Sequence, residues 1–112
     1  MKFNYIYGKQ AEQYDYLYIP KAFMKEEPFK TMTASAKIMY AVLMEKQQKS
    51  VEMGWIDEKD HVYILANTAA ISTELNWDYA ETIAAIEELE RFGLLEMAEK
   101  AVDMKLYLKR FV

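Results

Sequence analysis

The most constraining feature of this chain is a pair of helical patterns with almost nothing between them. Asn67-Thr68 opens a short apolar-periodic run that ends at Leu75. Asn76-Trp77 interrupts it, and Asp78 opens a longer run that ends at Phe92, just before Gly93. Asn, Thr and Asp cap the unsatisfied N–H groups at a helix start, and Gly accepts the left-handed backbone just past a helix end. Ile71 and Leu75 on the first run, and Ile83, Ile86 and Leu89 on the second, provide inward-facing apolar positions. A tight turn at Asn76-Trp77 makes this pair a helix-turn-helix over about Asn67 to Gly93.

The flanks extend the pattern. His61–Leu65, with Val62 and Ile64 on one face, reads as a strand before the pair. After Gly93, Leu94–Ala98 and Lys105–Val112 are apolar and extended around Glu99–Met104, which predicts a β-hairpin. Upstream, Thr33 is a plausible N-cap for a helix over Ala34–Met53 that stops at Gly54. Ala36, Met39, Tyr40, Leu43 and Gln47 form its stripe, which Ile38, Val42 and Met44 broaden. An irregular or short helical connector is expected over 21–32. Residues 3–7 and 14–19 alternate aromatic and β-branched positions and read as short strands, with Gly8–Gln13 a hairpin loop or bend and Pro20 a terminator. The expected class is α+β, mainly helical: a winged helix-turn-helix with an N-terminal β-hairpin or arm. One domain is expected over 1–112, with strands or an arm over 1–20 and the winged-helix core over 33–112.

Composition narrows the function classes. The 112 residues are 53 % hydrophobic, with three Gly and two Pro, enough to build a core without staples. Cysteine is absent, so disulfides, thiolate zinc sites and cysteine nucleophiles are excluded, and a cytoplasmic address is mildly favoured. No run approaches a membrane span, the N-terminus lacks a secretion-signal core, and the chain reads as starting at its own Met1. The single histidine, His61, has no partner at metal-ligand spacing and reads as a solvated turn residue. Asp57, Glu58 and Asp60 lack the alternating oxygens of a calcium loop, and Glu87, Glu88 and Glu90 read as a solvated helix face. No phosphate-cradling loop or nucleophile–base pair is present, so no catalysis, metal or cofactor is expected.

Four segments carry a resemblance. Tyr18-Ile-Pro-Lys-Ala-Phe is followed, after a short gap, by Phe29-Lys-Thr-Met-Thr-Ala-Ser-Ala-Lys-Ile-Met-Tyr40. Gly54-Trp-Ile-Asp57 and Val62-Tyr-Ile64 then precede the helix-turn-helix. In this order and spacing, the series resembles the N-terminal domain of plasmid replication initiator A proteins from low-GC Gram-positive bacteria, over roughly residues 14 to 112. The resemblance implies a winged helix that binds repeats in double-stranded DNA at a plasmid origin, typically as a dimer, with a separate C-terminal domain. The sequence ends at Val112, directly after the wing, so that further domain is expected to be absent or cut away.

Charge complicates this expectation. Net charge is −4. From Trp77 to Glu99, seven acids (Asp78, Glu81, Glu87, Glu88, Glu90, Glu96 and Glu99) face one base, Arg91, giving −6. That segment holds the helix which would enter the major groove. The reading leaves Asp78, Glu81, Ala84, Ala85 and Glu88 on its outer face, with Asp78 also an N-cap candidate. If DNA is bound, phosphate contacts are expected from Lys100, Lys105, Lys109 and Arg110 on the wing and from Lys37 near the connector. Tyr79 and Thr82 are expected nearest the bases. A homodimer is expected through the aromatic N-terminal segment, Phe3, Tyr5, Tyr7, Tyr14 and Tyr16, because tyrosine suits interfaces. The alternative is an acidic interaction module or regulator, with weak or no DNA binding, whose helix Asp78–Phe92 docks a basic protein partner.

Overall fold

The structure, a computed structural model, describes residues 2–8, 15–99 and 103–110. A short helix α1 (Ala22–Lys25) and a 3-10 turn (Glu27–Phe29) lead to the long α2 (Ala34–Met53). Then come β1 (Ile64–Asn67), α3 (Thr68–Leu75), α4 (Tyr79–Arg91), β2 (Leu95–Glu99) and β3 (Asp103–Leu108). The strands make one antiparallel sheet in the order β1-β3-β2, with a bulge between Met97 and Glu99. Helix, turn, helix and hairpin succeed one another as the sequence predicts. The fold is a winged helix-turn-helix.

The helix limits follow their caps. Thr33 accepts from the Ala36 N–H and Asn67 from the Ala70 N–H, each side chain satisfying a donor left over at a helix start. α2 stops at Gly54, whose φ of 75° lies in the left-handed region. α3 stops the same way at Asn76 (φ 56°), while the Asn76 and Trp77 N–H groups bond to the Thr73 and Ser72 carbonyls. That closure makes the turn tight. Asp78, in contrast, makes no side-chain cap bond to α4.

Four expectations about the elements need correction. β1 begins at Ile64 rather than His61, because Asp57, Ile56 and Trp55 bond across to His61, Val62 and Tyr63 and turn residues 55–63 into a closed loop. Asn67 then serves both as the last strand residue and as the α3 cap. The wing strands are longer towards the turn than expected, since Met104 is inward-facing and belongs to β3. Third, Met44 is exposed rather than part of the buried stripe. Finally, residues 2–7 and 15–20 form no strand among the described residues. The N-terminal segment is an arm, and Tyr14 lies outside the described residues.

The core sits where α2 crosses the sheet and the helix-turn-helix. Met39, Tyr40 and Leu43 of α2 are buried in one apolar cluster with Ile64, Leu106, Ile71, Ile86 and Leu89. Phe23 and Phe29 join it from the connector, with Phe23 edge-on to both Phe29 and Tyr40 at about 5 Å between centroids. The connector is therefore part of the packed body. No helix of the described residues is long and apolar enough to cross a membrane.

Candidate nucleic-acid interface

α4 is strongly two-sided. Thr82, Ala85, Ile86 and Leu89 fall on one stripe and are buried. At 3.6 residues per turn, the opposite stripe is Ala80, Ala84, Glu87 and Arg91, and all four are exposed. On one flank Tyr79, Ile83 and Glu90 border a cleft of about 210 Å³ that Thr68, Met97 and Met104 close. On the other flank, Glu81 and Glu88 turn towards α2.

The buried stripe is rotated from the expected one: Ala85 is inside and Ile83 only half-buried. The cause is Thr82, which is 0 % exposed. Its Oγ1 accepts from Ser72 Oγ at 2.8 Å and donates to the Asp78 carbonyl at 3.2 Å. A hydroxyl pair satisfied in this way behaves as core, and the small side chains Ser72, Thr82 and Ala85 bring the helices together. Thr82 therefore holds the turn and faces no ligand, contrary to the sequence reading. Tyr79, half exposed at 49 %, remains on the surface at the start of α4.

Glu81 and Glu88, which the sequence reading leaves on the outer face of α4, are turned towards α2. Glu88 accepts from Thr33 twice, from its N–H at 2.7 Å and its hydroxyl at 2.8 Å, and Glu81 accepts from Ser35 Oγ at 3.1 Å. Both carboxylates thus sit at the positive end of the α2 dipole, where a negative charge is favoured. The acidity of α4 is therefore partly spent inside the molecule. No sequence signal announces this, since Thr33 reads as an ordinary N-cap and its partner is 55 residues away.

Among the described residues, the expected cations lie in separate places. Lys105 lies on the outer face of the sheet, its ammonium 4.6 Å from the Tyr63 ring centroid and 5.8 Å from that of Tyr107. Lys109 and Arg110 follow the end of β3 and lie at the base of the hairpin, not at the wing turn. Four residues of strand, roughly 13 Å, separate Lys109 from Lys105. Lys109 pairs with Glu96 at 3.5 Å, and its backbone bonds to Leu94 and Tyr40. Arg110 is exposed, and its charge partly offsets the effect of burial, which pushes the Tyr40 hydroxyl above its ordinary pKa. Lys37 is half-buried at the end of the first turn of α2. Lys100 lies outside the described residues.

The same outer face carries a polar pin. Asp57 Oδ1 accepts from the Lys59 and His61 N–H groups, and Oδ2 accepts from the Tyr107 hydroxyl, each at 2.9 Å. The His61 N–H bond foremost, opposed by partial desolvation and aided by Tyr107 and the Lys59 N–H, holds the Asp57 carboxyl below its ordinary value of 3.8. The Asp57 carboxylate in turn raises the Tyr107 hydroxyl. His61 is exposed and edge-on to Tyr107. Among the described residues no cluster of His, Asp and Glu can hold a metal ion. On the arm, Phe3 and Tyr5 are 84 % and 85 % exposed, and Tyr7 and Tyr16 are exposed as well.

The geometry is therefore that of a helix presenting a nearly neutral outer stripe beside a hairpin with basic residues. Comparison with known proteins gives the family and the fold. Residues 15–112 match the family described as the N-terminus of replication initiator protein A (RepA). A solved N-terminal domain of a DNA-binding protein is 25 % identical with a TM-score of 0.79, over 99 % of this chain and 86 % of that one. A protein from a solved Rep–DNA complex is 25 % identical with a TM-score of 0.79, over 97 % of this chain and 85 % of its own. A third, an MDR initiator, is 25 % identical with a TM-score of 0.77, over 96 % and 86 %. No curated protein sequence matches the chain.

Proposed function

Because the chain belongs to the replication initiator protein A N-terminal family, we propose that it is the DNA-binding domain of a plasmid or mobile-element initiator, engaging origin repeats as a dimer in the cytoplasm. The observation that carries the reading is the outward stripe of α4, Ala80, Ala84, Glu87 and Arg91, left open beside the wing. The N-terminal half of such a helix meets base edges in the major groove. Ala80, Ala84 and Tyr79 there are uncharged, and Ala suits contact with a thymine methyl. Lys105, Lys109, Arg110 and Lys37, together with Lys100, contribute phosphate contacts, which carry most sequence-independent affinity. The role is one of binding, without catalysis. The fold-level likeness to the protein in a Rep–DNA complex supports the same partner.

The dimer rests on the arm. Phe3 and Tyr5 hold large rings in solvent, and exposed aromatic clusters of this kind mark interaction surfaces. The competing reading, an acidic helix that docks a basic protein, loses support because Glu81 and Glu88 are bonded to α2.

The test is selection of binders from a randomised duplex pool, followed by titration of the enriched sequence across salt. Enrichment of a repeated motif, with affinity falling steeply as salt rises, is expected. An unenriched pool, with no duplex affinity above background at low salt, would overturn the reading.

A further inference from the structure

We propose that Glu88 is a positioning residue for duplex recognition: its carboxylate, with that of Glu81, fixes the angle at which α4 is presented. The inference rests on the DNA-binding reading above. An acid on a groove-facing helix ordinarily repels phosphate, so its removal should tighten binding. The bonding of Glu88 reverses that expectation.

α4 is held to the body chiefly by Ala85, Ile86 and Leu89. Apolar contacts of this kind set the depth at which a helix sits but are non-directional, so they leave its rotation and swing weakly fixed. Hydrogen bonds to charged groups are short and directional, and supply what the apolar stripe lacks. Glu88 takes both the N–H and the hydroxyl of Thr33, and Glu81 takes the hydroxyl of Ser35. The two carboxylates lie two turns apart, roughly 10 Å along α4. Two anchors at that separation, both tied to the first residues of α2, define the direction of α4. A recognition helix needs that definition, because base contacts from α4 and phosphate contacts from the wing must be made together. Geometry held to within about half an ångström is what supporting hydrogen bonds provide at such sites. Both charges also lie on the α2 N-terminus, which offsets them locally.

The two roles of Glu88 predict opposite signs. Glu88→Gln keeps an acceptor for the Thr33 N–H and gains a donor for its hydroxyl, while losing the charge. Glu88→Ala loses both bonds and the charge. As a positioning residue, Glu88→Ala lowers affinity for the enriched duplex by about tenfold, the scale of one charged hydrogen bond, with the salt slope unchanged. Glu88→Gln stays near the parent or binds slightly tighter. If both variants bind more tightly by a similar factor, Glu88 is merely repulsive and the proposal fails. Thr33→Val, which leaves every charge in place but removes the hydroxyl bond to Glu88 together with the α2 cap bond from Ala36, stands in if Glu88→Ala is too unstable to assay; it should weaken binding, and unaltered affinity overturns the proposal. Residual dipolar couplings of the free domain give a readout that needs no DNA. The direction of α4 relative to α2 should change in Glu88→Ala and not in Glu88→Gln, and an unchanged direction in both overturns the proposal. A parent domain that binds no duplex would instead overturn the DNA reading, leaving the couplings to decide the clamp.

Discussion

Thr82 and Tyr79 are three residues apart on one helix and have opposite consequences. Thr82 is enclosed, and its hydroxyl joins Ser72 to the Asp78 carbonyl. Thr82→Val keeps the shape but removes the hydroxyl bond that joins α3 to α4, leaving Ser72 bonded only to the Thr68 carbonyl of its own helix. It should cost about 1–2 kcal/mol in denaturant unfolding, with duplex affinity unchanged once the variant is fully folded. Tyr79→Ala should do the reverse, with little change in stability and clear loss of duplex affinity. Asp57 supplies a pH-dependent term. Its carboxyl titrates below its ordinary 3.8 in the folded chain, so its contribution is complete above that value. The contribution is lost as pH falls through the lower, folded value, because protonation removes the charge that strengthens the bonds from His61, Lys59 and Tyr107. Amide exchange at His61 should therefore accelerate in that acid range, and Asp57→Ala, which has no acceptor for the His61 N–H, should raise it already at neutral pH. Unchanged exchange in Asp57→Ala would show that the loop is held by other bonds.

The elements divide the cations between two places. Lys105 lies on the open face of the sheet over Tyr63, whereas Lys109 is tied at the hairpin base to Glu96. Each phosphate contact contributes about 0.9 to the slope of log affinity against log salt. Lys105→Ala should reduce the slope by that amount, and Lys109→Ala by less, because Glu96 already neutralises part of its charge. Equal reductions would mean that the base of the hairpin also meets the backbone. The turn of the helix-turn-helix has its own test. Asn76 holds a left-handed backbone, so Asn76→Ala should cost about 1–2 kcal/mol and Asn76→Gly almost nothing.

On the scale of the whole molecule, the packed body and the arm behave differently. Body residues from Phe23 to Leu106 share one cluster, while Phe3 and Tyr5 stand in solvent. If the arm builds the proposed dimer, replacing Phe3, Tyr5 and Tyr7 together by Ser should give a folded monomer by light scattering. Its affinity for a single half-site should be retained and its preference for paired repeats lost. A parent chain that is already monomeric at assay concentrations would remove the dimer.

The helix-turn-helix, the caps at Thr33 and Asn67, the stops at Gly54, Asn76 and Gly93, and the wing all follow from local signals: short polar caps, left-handed stops and apolar spacing act within a few residues. Such signals need no knowledge of the rest of the chain, which is why this much was legible. The start of β1, the rotation of α4 and the arm were not, because each depends on what the element meets. Asp57 draws residues 55–63 into a loop, Ser72 pulls Thr82 inward, and the arm segments pair with no strand among the described residues. The acidic helix is the clearest case. Its charge can be counted from the sequence alone, but the direction of each carboxylate was decided only when α2 and α4 came together, 55 residues apart at Thr33 and Glu88. Charge is a property of the residue, whereas the partner that receives it is a property of the fold.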